Sequence, residues 1–418
     1  MPGAVSGGEP VPEDGGLPAS AMAALGARPF AIYVHVPFCT TRCGYCDFNT
    51  YTAGELATRA EGGAGPAGAG PAVNGGVVSA ANYADLAIAE IGFARQVLGA
   101  ADLPVRTVFF GGGTPTLLAP SAIGDVLRAI GTRFGFGNGL VEVTTEANPE
   151  SVTPESLREL RAQGVSRVSF GMQSAVPAVL RTLDRVHQPG RPAQCVRWAY
   201  DAGFEHVSLD LIYGTPGETD ADWKCSVNAA IDAEPDHISA YALTVEPGTR
   251  LAARVRRGEV PAPDDDVLAA RYAIADDLLS GAGYRWYEIS NWARDDAARC
   301  AHNMLYWTGA DWWGVGPGAH SHVGGTRWWN VRHPAAYAER IRAGISPGQA
   351  REILTEGDKR LEDIMLRTRL ADGYPVDLLD NSKIVGVLAD GLARREQGRL
   401  MLTRRGRLLA DTVVRALT

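Results

Sequence analysis

Three cysteines, Cys39, Cys43 and Cys46, stand in C-x3-C-x2-C spacing directly after the apolar run Ala31–Val36, which reads as a β-strand. Six cysteines in 418 residues would produce this spacing by chance only about 0.001 times. Three thiolates on one short loop suit a [4Fe-4S] cluster held through three of its irons, with the remaining iron open to another ligand. A zinc knuckle uses the same residue type, but structural zinc takes four N or S ligands, usually as two separated pairs. Cys195, Cys225 and Cys300 are scattered singly and supply no second pair.

Such a loop needs a scaffold, and the length suits one large and one small domain. Hydrophobic residues make up 45% of the chain, enough for sizeable cores. A net charge of −8 argues against a general nucleic-acid partner. No apolar run of about 18 residues occurs, so no membrane span is expected. Residues 1–28 are rich in Gly, Pro and Ala, lack the basic start of a secretory signal, and read as a disordered tail. Unpaired cysteines and an oxygen-sensitive cluster fit a cytoplasmic location.

The barrel-forming region is expected at 29–245, with a flexible Gly- and Ala-rich insertion over 52–80. A helix follows from Asn82, its candidate cap, to Leu98. Strands are predicted near 31–36, 105–110, 140–145, 166–171, 206–212 and 236–242. Helices are predicted near 121–133, 154–163, 175–184, 192–202 and 220–232. Six β-α units in a row imply an α/β fold with a parallel sheet, either doubly wound or an incomplete barrel. The polar landmarks favour the barrel, because each falls at the C-terminal end of its strand, where barrel sites gather. They are the cysteine loop, Gly111-Gly112-Gly113-Thr114, Glu146-Ala147-Asn148-Pro149, Gly171-Met172-Gln173-Ser174, Asp210 with Gly214-Thr215-Pro216-Gly217, and Tyr241-Ala242. The glycine run reads equally as a tight turn or as a place where backbone amides approach a ligand.

The cysteine spacing, with aromatic Tyr45 directly before the third cysteine, resembles the signature of the radical SAM superfamily. That resemblance implies a partial (β/α)6 barrel whose open iron is chelated by S-adenosylmethionine (SAM), with one electron cleaving the sulfonium. It implies cofactor contacts from Gly112, Gly113 and Thr114, which match the family's glycine-rich element at the methionine amino group. It also implies them from Tyr33, Glu146, Gln173, Arg185, Asp210 and Ala242, which match positions through which porphyrin-related members hold SAM. Arg185 is then a partner for the carboxylate and Asp210 for the ribose; a structural ion pair is the alternative for Arg185. A reduced ferredoxin- or flavodoxin-type donor is the implied source of electrons.

The closest resemblance is to the branch that holds the oxygen-independent coproporphyrinogen III oxidases and the haem chaperones, and two features separate these two. The oxidases carry a fourth cysteine two positions after the third, where this chain has Phe48. The run His302-Asn303-Met304-Leu305-Tyr306-Trp307 resembles the haem-binding H-N-x-x-Y-W signature of the chaperones. The resemblance therefore implies haem, with His302 as its ligand, and acceptor haemoproteins as partners. An imidazole is a natural axial ligand for haem iron. Seven of the nine Trp lie between 286 and 329, within an aromatic-rich extension at 246–349, and are expected to form an apolar wall. His35, His320, His322 and Cys300 are lesser candidates. Residues 350–418 resemble a small winged-helix module, with helices at 358–369 and 381–394 and a strand at 399–403. Despite its arginines, it is expected to cap the barrel mouth rather than bind DNA.

Overall fold

Apolar, β-branched runs separated by amphipathic stretches dictate alternating strands and helices, and the computed structural model contains them in that order. It describes residues 8–60, 78–137, 141–185 and 187–418. The strands β1 (Phe30–Val36), β2 (Val105–Gly112), β3 (Glu142–Ala147), β4 (Arg167–Gln173), β5 (His206–Tyr213) and β6 (His237–Ala242) lie side by side in chain order, all parallel. Between them run helices Tyr83–Val97, Pro120–Phe134, Pro154–Ala162, Pro177–Thr182, Arg191–Asp201 and Asp220–Asp232. Thr153 and Thr219 start two of these with reciprocal capping boxes. Asn82 does not cap its helix; its Oδ1 accepts the Ser79 amide instead. The result is the expected partial barrel.

Successive strand residues face opposite ways. One set, including Ile32, Val34, Val108, Phe110, Val168, Phe170, Leu209 and Ile238, is buried in the core against the helices. The other set, Tyr33, His35, Thr107, Phe109, Thr144, Glu146, Arg167, Ser169, Ser208, Asp210, His237 and Ser239, is largely polar. A polar inner face inside an apolar shell is what a barrel needs in order to hold a ligand.

The sheet continues past six strands to thirteen. Beside β1 lies the parallel strand Asp311–Val315, followed by antiparallel His320–Val323, Thr326–Asn330, Gly348–Ile353 and Glu9–Pro10. Beyond β6 lie antiparallel Asn291–Ala293 and Arg285–Glu288. The stretch 246–349 thus builds both edges of the one sheet. Its tryptophans do not form a single wall: Trp286 and Trp292 sit at one edge, and Trp312, Trp313, Trp328 and Trp329 at the other. Within the expected tail, residues 8–28 are packed on that second edge. Ala21 is fully buried and the Glu13 carbonyl accepts the Ser346 amide at 2.7 Å. Within the expected insertion, Ala53–Ala60 is helical, while residues 61–77 lie outside the described residues. Among the described residues no helix is long and apolar enough to cross a membrane.

The C-terminal module has its own three-stranded sheet, Tyr374–Pro375, Arg399–Leu402 and Ala393–Glu396, and its own core, including Ile364, Ile384, Val387, Leu400 and Val413. The helix predicted to Arg394 stops at Ala389, because Gly391 turns the chain at φ +66° and Ala393 enters the sheet. The module docks on the edge of the large sheet, not over the cysteine loop. The Ala371 amide donates to the Tyr287 carbonyl, Arg407 makes two bonds of 3.0 and 2.9 Å to Asp276, and Arg404 pairs with Asp277. These arginines hold the module in place.

One buried carboxylate ties the first helix to the far edge. Glu90 accepts bonds from the Gly316 amide (2.7 Å), the Tyr337 hydroxyl (2.6 Å) and the Asn330 amide (2.7 Å), and burial raises its pKa from 4.5 to about 7. The folded state therefore holds this proton more tightly than the unfolded chain does. The group's stabilising contribution is full below pH 4.5 and is lost as pH rises through about 7. Glu90→Ala is expected to cost about 3 kcal/mol, because three buried donors lose their acceptor, and to flatten the decline of stability between pH 5 and 7. Urea unfolding across that range checks both.

Candidate cluster and cofactor site

The cysteine loop leaves β1 and is clamped from three directions. The Cys39 amide bonds to the Tyr51 carbonyl at 3.0 Å and the Cys46 amide to the Cys43 carbonyl at 3.3 Å. Gly44 sits against the segment after the Pro177–Thr182 helix: its amide reaches the Leu183 carbonyl, and its carbonyl accepts the Leu251 amide at 2.8 Å. Asn49 Nδ2 donates to the carbonyls of Pro317 (2.9 Å) and Arg332 (2.8 Å), which fixes the loop to the strand-edge extension. All three thiols are free and half-buried. Burial raises the pKa of Cys39 and pushes that of Cys46 up to about 11, and neighbouring cysteines add to both shifts. Their protons must leave when a metal cluster takes the sulfurs as thiolates.

The glycine turn after β2 lies against this loop. The Gly113 amide bonds to the Val36 carbonyl and the Thr114 amide to the Phe38 carbonyl, both at 2.8 Å. A Cβ on Gly113 would lie 2.3 Å from the Phe38 carbonyl oxygen. Gly112, at φ +107°, donates its amide to Glu146 Oε2 at 3.0 Å. All three amides are therefore committed inside the protein. The turn is not an amide cradle for a carboxylate, and what it can offer a ligand is carbonyl oxygens, which suit an ammonium group.

Glu146, Gln173, Arg185 and Asp210 converge at the same end of the barrel. Asp210 Oδ2 accepts the Ser169 hydroxyl at 2.7 Å. Burial, then the charge of Asp210, raises Glu146 to about 8, against the pull of the Gly112 amide. Gln173 is buried at φ +62°, a conformation that costs energy in a non-glycine residue and is often found at functional sites. Arg185 bonds to the Gly171 carbonyl at 3.3 Å, its Nε is sealed without a partner, and Tyr45 and Cys43 raise its pKa after burial has lowered it. Tyr45 itself packs against the Val179, Leu183 and Leu251 cluster. Ala242 is exposed at the end of β6. Phe48 is 48% exposed beside the cysteines.

Sequence reasoning undervalued His35. Its Nε2 lies 3.0 Å from the Asn49 carbonyl, which can only accept, so Nε2 carries the proton and Nδ1 accepts the Tyr33 hydroxyl at 3.0 Å. Burial lowers its pKa to about 4 and keeps it neutral. The ring fills the space where a Cβ on Gly112 would stand, 2.6 Å away. Its signal was the two-residue step from Tyr33 along one strand face. Ser169 carries the same signal, two residues before Gly171. Asn49 carried none, since its partners lie 268 and 283 residues away.

His302 lies elsewhere. The helix Ala301–Trp307 enters the opposite end of the barrel, where Glu142 opens β3. The His302 ring is 1% exposed. Its Nδ1 is 2.7 Å from the Thr107 hydroxyl and its Nε2 is 2.8 Å from the Tyr306 hydroxyl, with Phe109 between it and Tyr33. Burial lowers its pKa to about 4. Cys300 is buried with its thiol 3.5 Å from Glu142 and its pKa raised by burial, as befits an inert thiol. His322 bonds to the Ala310 carbonyl at 3.1 Å, and exposed His320 stacks on Trp329.

A model of the radical SAM superfamily matches residues 33–228. A Mycobacterium tuberculosis protein named heme chaperone HemW is 49% identical over 399 residues, spanning 95% of this chain and 96% of its own. The Bacillus subtilis protein of that name is 30% identical, spanning 91% and 97%. The chain belongs to the HemW family of the radical SAM superfamily. The solved structure of coproporphyrinogen III oxidase (HemN) from Escherichia coli aligns with a TM-score of 0.75 at 21% identity, covering 95% of this chain and 91% of that one. The two share a fold.

The cofactors of this superfamily fit the residues present. Three thiols on one loop, near enough to influence one another's titration, can each take a different iron of a cubane. SAM bears an ammonium, a sulfonium and a carboxylate. Committed amides leave carbonyl acceptors for the ammonium, Asp210 lies where it can face a cationic centre, Glu146 can give up its raised-pKa proton when a cation arrives beside it, and Arg185 has an unpartnered N–H for the carboxylate. Gly113→Ala is expected to push the two loops apart and cut iron and sulfide content after anaerobic reconstitution by more than half, with the helical content unchanged; elemental analysis and circular dichroism check it.

Proposed function

We propose that this protein is a haem chaperone: it binds haem, carries a [4Fe-4S] cluster with SAM, and passes the haem to acceptor haemoproteins. The observation that carries this reading is the 49% identity, across 95% of the chain, to a protein named heme chaperone HemW. Two residue-level features support it. Phe48 stands where the oxidases place a further cysteine, and His302-Asn303-Met304-Leu305-Tyr306-Trp307 supplies an imidazole and two aromatic rings. Neutral His302 has the lone pair that a haem iron needs.

In this reading Cys39, Cys43 and Cys46 hold the cluster, while Glu146, Gln173, Arg185, Asp210 and the glycine turn hold and orient SAM. The bound group supplies the redox chemistry, and the protein sets its position and electrostatics. The half-buried cysteine loop gives a ferredoxin- or flavodoxin-type donor its approach. The setting is the cytoplasm.

His302→Ala is expected to lose stable haem loading, seen as loss of the Soret band in an absorbance titration, with iron–sulfur content retained. Equal haem affinity in that variant removes His302 as the ligand. An anaerobic assay with coproporphyrinogen, SAM and a reductant is expected to show no turnover; conversion to protoporphyrinogen at catalytic rates would replace the chaperone reading with that of an oxidase.

A further inference from the structure

We propose that the helix Ala301–Trp307 is a latch that withholds His302 until haem arrives, and that Glu142 is the residue that keeps it shut. The inference rests on the reading of His302 as the haem ligand. An imidazole ligates iron through a free nitrogen lone pair with room along its axis. In this structure both ring nitrogens are hydrogen-bonded, to Thr107 and Tyr306, and the ring is 1% exposed. Packing against Phe109 and Tyr306, at centroid distances of 5.2 and 5.0 Å, leaves no open face. This conformation and the ligating one exclude each other.

The closed position is held by more than the ring. Glu142 accepts the amides of Ala301 (3.0 Å) and His302 (2.8 Å), which open the helix. The same carboxylate pairs with Arg167 Nε at 2.9 Å, and Arg167 Nη2 reaches back to the carbonyls of Ala298 (2.8 Å) and Arg299 (3.1 Å). One ion pair on the barrel floor thus grips both the start of the helix and the segment leading into it. On the other side Asn303 Nδ2 donates to buried Glu288 at 2.9 Å. When the ligating state is a minor fraction, the apparent haem affinity falls by that fraction, and weakening the latch recovers it.

Glu142→Gln keeps the shape but loses the charge that strengthens bonds to the amides and to Arg167. It is expected to raise haem-free hydrogen exchange across residues 298–307 and the haem-loading rate by about tenfold each, with the final Soret spectrum unchanged. Thr107→Val removes only the Nδ1 bond and is expected to speed loading about threefold, which keeps the test open if Glu142→Gln is unstable. In wild type, haem loading itself is expected to deprotect residues 298–307. Folded Glu142→Gln or Thr107→Val protein with unchanged exchange and unchanged loading rate overturns the latch and leaves the chaperone reading intact. Unchanged haem binding by His302→Ala overturns the ligand assignment on which the latch rests. The double variant Glu142→Gln with His302→Ala is expected to exchange fast yet fail to load; slow exchange there overturns the role of Glu142.

Discussion

The two-residue repeat of a β-strand, applied to a curved parallel sheet, organises this protein. Each of β1 to β6 gives its apolar set to the helices outside and its polar set to the inner face. The apolar set includes fully buried Val34, Phe110, Phe170 and Leu209. Burying those side chains pays for the barrel, and the inner face is then free to carry groups that would be costly in a core. Without that division Glu146, Asp210, Arg167 and Glu142 would be isolated charges in an apolar interior, and they would have to neutralise or unfold the site.

The inner face has two ends with opposite designs. At the loop end, Glu146 and Asp210 are underpartnered, with raised pKa values, and Arg185 has a sealed nitrogen without an acceptor. Such incomplete electrostatics suit a ligand that brings the missing charges. At the floor end, Glu142 and Arg167 satisfy each other and four backbone groups, and Glu142 is held below the ordinary carboxylate range. That arrangement holds a segment of chain in place. The separation puts the cysteine loop, Glu146 and Asp210 at one end of the lumen and the His302 helix at the other, with Tyr33 and Phe109 between them.

The rest of the chain serves this lumen from the edges. Residues 285–330 extend the sheet on both sides, and the loop at Gly316 to Gly318 meets Asn49, so the cysteine loop is braced by a segment far away in sequence. The C-terminal module is fastened beside the Arg285–Glu288 edge through Arg404, Arg407, Asp276 and Asp277. Two of its arginines, Arg404 and Arg407, make that joint, whereas Arg394, Arg399 and Arg405 bond within the module.

The positions of strands and helices, the cysteine loop and the polar groups at strand ends were legible because each is written in local patterns: period-two and period-3.6 hydrophobicity, turn residues, and ligand spacing. These patterns depend only on neighbours along the chain. The packing of residues 8–28, the split of the tryptophans between two edges, the committed amides of the glycine turn and the burial of His302 depend on contacts between segments tens to hundreds of residues apart. No local pattern encodes such contacts. Local pattern reveals which residues have the chemistry; folding selects which of them face a ligand and which are already satisfied, since a hydrogen bond made inside the protein is one no longer on offer.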